Sequence, residues 1–306
     1  MSQDNRWQSL HAIVNQHAAL LQVNSLQTIK KIAITRFIAE TVFIFLLQYI
    51  GLMMSTLSHY PAPVWLATGA ACGFIFLRGA RVLLGIGLGS FFAYIFATLN
   101  FLLSCEYALV FMLQAGLLLW ISYRFVCPTL IFYQKKIFLK FIFCSGILTF
   151  LMSLILLFLN SSNNSFQKLI YIWLANWSSI LIISCGLLTW DTYFSAINKK
   201  KFLQFYFIYG LLAFIILLMI FNKPSLLTVI LAVFLFSETF IISRYLGWSG
   251  VMAAVFLPAL LFNLAAYLHA PIFSEITIPT IMILFFLQGL LLIETITGLW
   301  IAIKKY

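Results

Sequence analysis

The sequence predicts an all-α, polytopic transmembrane helical bundle, and three observations carry that expectation. Hydrophobic residues fill 64% of the 306 positions and charged residues only 8%, an apolar excess beyond what a water-soluble domain carries. The mean hydropathy is +1.08, and the apolar residues gather in long runs of the length a helix needs to cross hydrocarbon, roughly 20 residues. The third observation is where the charges fall. A net charge of +11 raises nucleic acid as a partner, but of the 18 Lys and Arg all except Lys168 and Lys223 fall on one set of alternate segments. That asymmetry follows the rule that cytoplasmic loops hold the cations, so the charge reports insertion and contact with membrane lipids of the inner leaflet, and no nucleic acid.

Taken in order, residues 1–32 form a cytoplasmic segment in which Trp7, Leu10, Ile13, Val14, Leu20 and Leu21 recur at helical spacing. Such a segment is an amphipathic helix on the inner surface, packed under the first span or docking a partner. No apolar core follows a basic start, so no cleavable signal is expected. Residues 33–303 are the membrane region, with apolar runs at 33–54, 62–78, 82–99, 106–123, 138–159, 169–190, 203–221, 225–242, 246–267 and 276–303. That makes ten spans with both termini cytoplasmic, and residues 304–306 are a short cytoplasmic tail. Dropping the short third run and the eighth, which Glu238 interrupts, gives eight. It also puts Arg78, Arg81 and Arg244 outside or at depth, which favours ten. The second and third runs read as a hairpin turning at Leu77–Arg81. Pro61 and Pro63 suit the first turn of a helix, where a missing N–H costs nothing. Gly69 with Gly73, and Gly85 with Gly89, are four apart and permit close helix approach.

The chain shows little that points to catalysis. It has no serine elbow, paired carboxylate motif, phosphate loop or histidine metal spacing, so no enzyme activity, cofactor or metal is expected. Cys72, Cys105, Cys127, Cys144 and Cys185 are odd in number and unpaired in spacing, and read as packing residues. His11 and His17 fall on different helix faces, and His59 and His269 lie in outer loops. The acids carry more information. Glu40, Glu238 and Glu294 fall inside predicted spans, where an ionised side chain costs on the order of a few kcal/mol unless it faces the interior with a partner or water. Arg36, Arg78, Arg81 and Arg244 lie near the same inner ends. The cluster reads either as static ion pairs or as a proton- or ligand-responsive switch.

Trp65, Gly69, Leu77-Arg78-Gly79, Arg81, Gly85 and Gly89, then Trp173-Leu174-Ala175-Asn176 with its apolar run, then Arg244 to Gly250, resemble in order and spacing the membrane-associated sensor (MASE) domain family, type one. The resemblance spans roughly residues 33–303. Leu66 stands where that family usually has Pro, and Asn176 where it usually has Asp, so an amide with donor and acceptor replaces an acid. The resemblance implies a non-enzymatic sensory or regulatory module of the bacterial inner (plasma) membrane, usually drawn with eight helices. It implies signalling through a separate partner protein, since the chain stops at Tyr306 without a cyclase or kinase. Trp65 and Trp173, at the outer ends of the second and sixth spans, with Gly69 and Asn176 a turn below, form a candidate pocket for an unknown small ligand; an aromatic belt is the other reading. A small-solute transporter remains the rival function.

Overall fold

The computed structural model describes residues 26–58, 64–126, 134–159, 166–188 and 280–303, with 250–252, 254–261, 263 and a few isolated positions from 207 to 218. Every regular element among them is helical: α1 Leu26–Ser58, α2 Leu66–Arg78, α3 Leu83–Thr98, α4 Phe101–Ile121, α5 Lys135–Leu159, α6 Phe166–Ser179, α7 Gly250–Leu261 and α8 Thr280–Ile303. Short turns join some of them, a 3₁₀ turn at Gly79–Val82 and wide π-turns at Ser122–Val126 and Ile180–Ser184. Five stretches are long and apolar enough to cross a membrane: Ile34–Met53, Leu66–Thr98, Phe101–Val126, Lys135–Leu159 and Phe166–Leu188. The all-helical class expected from composition is what the described residues show, and they are compatible with a helical membrane bundle. Ten spans is more than they display, because the runs at 203–221 and 225–242 lie almost wholly outside them. Residues 1–25, most of the expected N-terminal segment, lie outside them too.

Two compact units divide the chain, Met1–Glu40 and Thr41–Tyr306. In the first, the described backbone is the opening half of α1, with Ile34, Arg36 and Ile38 exposed. The second holds the core.

The stretch Leu66–Thr98 is two legs rather than one rod. Trp65 donates its indole N–H to Gln48 Oε1 of α1 at 3.1 Å, and the Tyr94 phenol lies beside the same Gln48. On one straight helix residues 65 and 94 would stand about 43 Å apart at 1.5 Å per residue, so the chain reverses between them. Gly79 makes the reversal with φ +72°, a left-handed conformation in which a Cβ is strained. Phe74 then meets Phe43, so α2 runs against α1; on the returning leg a Cβ on Gly89 would meet the Thr41 and Phe45 backbone while Tyr94 reaches Gln48 further along, so α3 runs with α1. The hairpin expected from the sequence is therefore present, although α2 and α3 are each shorter than a usual span.

The next connection is tighter. Leu99 takes φ +54° to end α3, and Asn100 caps α4 by accepting from the Leu103 N–H at 3.1 Å. Tyr94 then stacks on Tyr107 with ring centroids 4.1 Å apart. The α5 and α6 helices also run antiparallel, because Trp173 and Trp177 of α6 reach Gly146 and Ser145 of α5. Large side chains at Tyr171, Phe138, Phe141, Ile75, Ile86 and Leu118 fill the centre, all less than 2% exposed. Outward-facing apolar residues such as Leu84, Phe96, Phe143 and Ile147 are more than 60% exposed, as a lipid-facing surface requires.

Candidate functional site at the seam of α2 and α6

Non-helical backbone inside a membrane bundle is tolerated only where protein or water supplies its hydrogen bonds, and Val64–Trp65 is such a segment. The Trp65 N–H donates to Ala175 O of α6 at 3.3 Å, and its carbonyl accepts from Ser179 Oγ at 2.6 Å. Val64 is held by one side chain at both ends of its backbone. Its N–H donates to Asn263 Oδ1 at 3.2 Å, and its carbonyl accepts from Asn263 Nδ2 at 3.3 Å. Nδ2 is also tied to Ala259 O at 3.0 Å, which fixes the amide on its own helix.

Below this point α2 and α6 run parallel in close contact. The Thr68 hydroxyl donates to Asn176 Oδ1 at 2.6 Å, and Asn176 Nδ2 donates to Ile172 O one turn back at 2.9 Å. A neutral amide satisfies both contacts without burying a charge, and Asn176 is only 4% exposed. One turn on, the Gly69 N–H donates to Ser179 Oγ at 2.9 Å and its carbonyl accepts from Ser184 Oγ at 2.8 Å. Gly69 must be glycine here, because a Cβ would run into Ser179 backbone and side chain and Ile183. Further down, a Cβ on Gly73 would fall 3.3 Å from Ser184 Cα and 3.2 Å from Leu187 Cβ. Close backbone approach is what small residues at such spacing allow.

The structure thus joins Gly69 and Asn176 in one hydrogen-bonded seam. It turns the two tryptophans to different neighbours. Trp65 leans on α1 through Gln48 and Gly51. Trp173 donates to Gly146 O of α5 at 2.9 Å, stacks on Trp177 at 5.4 Å and takes the edge of Phe150 at 5.5 Å.

Of the expected polar cluster, Arg36 is exposed and Glu40 half-buried in the first unit, while Arg78 and Arg81 are exposed around the Gly79 turn. Glu294 is buried at 4% on α8, beside fully buried Thr295. Glu238 and Arg244 lie outside the described residues, as do all four histidines. No group of metal-ligating side chains occurs among the described residues. Cys72 and Cys185 are buried and Cys105 and Cys144 half-buried, none of the four in a disulfide, with Cys127 outside the described residues.

Sequence reasoning passed over Gln48, Ser184 and Asn263. Each is a polar residue alone in an apolar run, the pattern by which polar groups join membrane helices. Gln114 of α4 stands apart, 1% exposed with neither amide atom hydrogen-bonded to a described residue. No protein-family model, curated protein or solved structure matches this chain.

Proposed function

We propose that this chain is a membrane-embedded sensory or regulatory module of the membrane-associated sensor type, binding a small ligand and acting through a separate partner protein. The observation that supports it is the α2–α6 seam: the two segments that carry the resemblance, around Trp65–Gly69 and Trp173–Asn176, are parallel neighbours joined by side-chain hydrogen bonds. A signalling role requires this seam to have a second packed arrangement. A ligand drives such a shift only through unequal affinity for the two arrangements. Trp65, Gly69, Trp173 and Asn176 are the proposed ligand contacts, reached when the upper seam opens. Glu294, with Arg78, Arg81, Glu238 and Arg244, is the proposed inner polar set of the second unit, and Arg36 with Glu40 that of the first. The proposed setting is a bacterial inner membrane, with ten spans, cytoplasmic termini and no catalytic activity.

One observation favours a second reading, a small-solute transporter. The α2 helix starts opposite Ala175, about 14 Å inside the Phe166 end of α6 at 1.5 Å per residue, with irregular backbone at its head. Transporters place binding sites at such interrupted helices. Purified protein in sealed vesicles, offered a panel of labelled solutes, separates the two readings. Binding without accumulation, together with a signalling protein recovered by cross-linking in native membranes, supports the sensor; net accumulation of a solute supports the transporter.

A further inference from the structure

Ser179 and Ser184 both bond Gly69, and an ordinary α-helix forbids that. Residues five apart on an α-helix point about 140° away from each other. A π-turn, with its i→i+5 hydrogen bonds, instead stacks residue i+5 close above residue i. The wide turn Ile180–Ser184 falls between these two serines, and its geometry lets Ser179 accept from the Gly69 N–H while Ser184 donates to the Gly69 carbonyl. One residue of α2 is clamped through the two peptide groups that flank it.

We propose that the Ile180–Ser184 turn is a two-state element: a wide form clamped on Gly69, and a closed α-helical form in which Ser184 lets go and Cys185–Leu188 rotate against α2. The closed form leaves neither Ser184 nor Gly69 stranded. The Ser184 hydroxyl then has the Ile180 carbonyl four residues back, the bond that Thr149, Thr295 and Thr297 make at 2.6–2.8 Å in this molecule. The Gly69 carbonyl keeps its acceptor role within α2, and Ser179 keeps Trp65 O. Gly69 and Gly73 also present no side chain to the turning face. Its use in signalling rests on the function proposed above, whereas the two-state turn itself does not, and the experiment reads the turn directly.

In a background with the native cysteines replaced by Ala, spin labels at Leu77→Cys and Leu188→Cys report across the turn. Labels at Leu77→Cys and Phe166→Cys report on the part of α6 before it. Deletion of Ile182 removes the extra residue and fixes the closed form. The expected result is that Ser184→Ala moves the 77–188 distance distribution toward that of the deletion, while the 77–166 distribution stays as in the wild type. An unchanged 77–188 distribution in Ser184→Ala, or equal movement of both pairs, overturns the proposal. If the deletion does not insert, amide exchange of the wild type in lipid decides: the amides of 180–188 should exchange at least about tenfold faster than those of 169–178, and uniform protection overturns it.

Discussion

Gly69 and Gln114 mark the two ways a single residue governs this core, one by having no side chain and the other by having one with no described partner. Gly69→Ala forces a methyl into Ser179 and Ile183, and overpacking of this kind costs about 1–3 kcal/mol. Gly289→Ala is the control, since no described atom lies within 4 Å of a Cβ there and Ala is favoured over Gly inside a helix by up to ~1 kcal/mol. Denaturation of the purified protein in mixed micelles should therefore show a lower midpoint for the first and an equal or higher one for the second. Gln114→Leu makes the opposite demand on intuition. An apolar side chain of similar size removes two unsatisfied groups, 1% exposed, each of which costs about 1–3 kcal/mol to bury unpaired. The midpoint should rise. A fall would show that the amide holds a bound water or ligand in the native membrane.

At the scale of elements, the α3–α4 hairpin turns on a leucine in a glycine's conformation. Leu99 has φ +54° and is 86% exposed, so its side chain returns little burial for a left-handed backbone that costs roughly 1–2 kcal/mol in an L-residue. Leu99→Gly is expected to raise the denaturation midpoint, while Leu99→Val, branched at Cβ, lowers it. The reversal at Gly79 was legible in the sequence, because a glycine flanked by arginines between two apolar runs has few other structural uses. The α2–α6 seam was half legible. The spacing of Gly69 and Gly73 announced a close approach, but not its partner helix, nor that the Trp65 and Trp173 indole N–H groups bond two different helices. The π-turn was invisible because Ile180 to Ser184 carry no Gly or Pro, and an apolar run looks the same at either helical period. Asn263 was missed for a related reason: one amide in a leucine-rich stretch gives no hint that it bonds backbone 199 positions away.

On the scale of the whole molecule, the charge asymmetry predicts an orientation and the packing sets the neighbours, and each is tested separately. Reporter fusions after Tyr306 and at Asn163 test the first: the expected pattern is a cytoplasmic reporter active only at Tyr306 and a periplasmic reporter active only at Asn163. The reverse at either position rejects ten spans with cytoplasmic termini. The packing carries the rest of the account, since the seam, the clamp on Gly69 and the functional proposal all require α2 and α6 to lie side by side and parallel. Cysteine cross-linking in native membranes measures that most directly. With the native cysteines replaced by Ala, Thr68→Cys combined with Asn176→Cys should form a disulfide on mild oxidation, because the two side chains touch at 2.6 Å in the structure. Thr68→Cys combined with Leu187→Cys should not, because Leu187 packs further along at Gly73. Cross-linking of the second pair in place of the first would contradict the parallel seam.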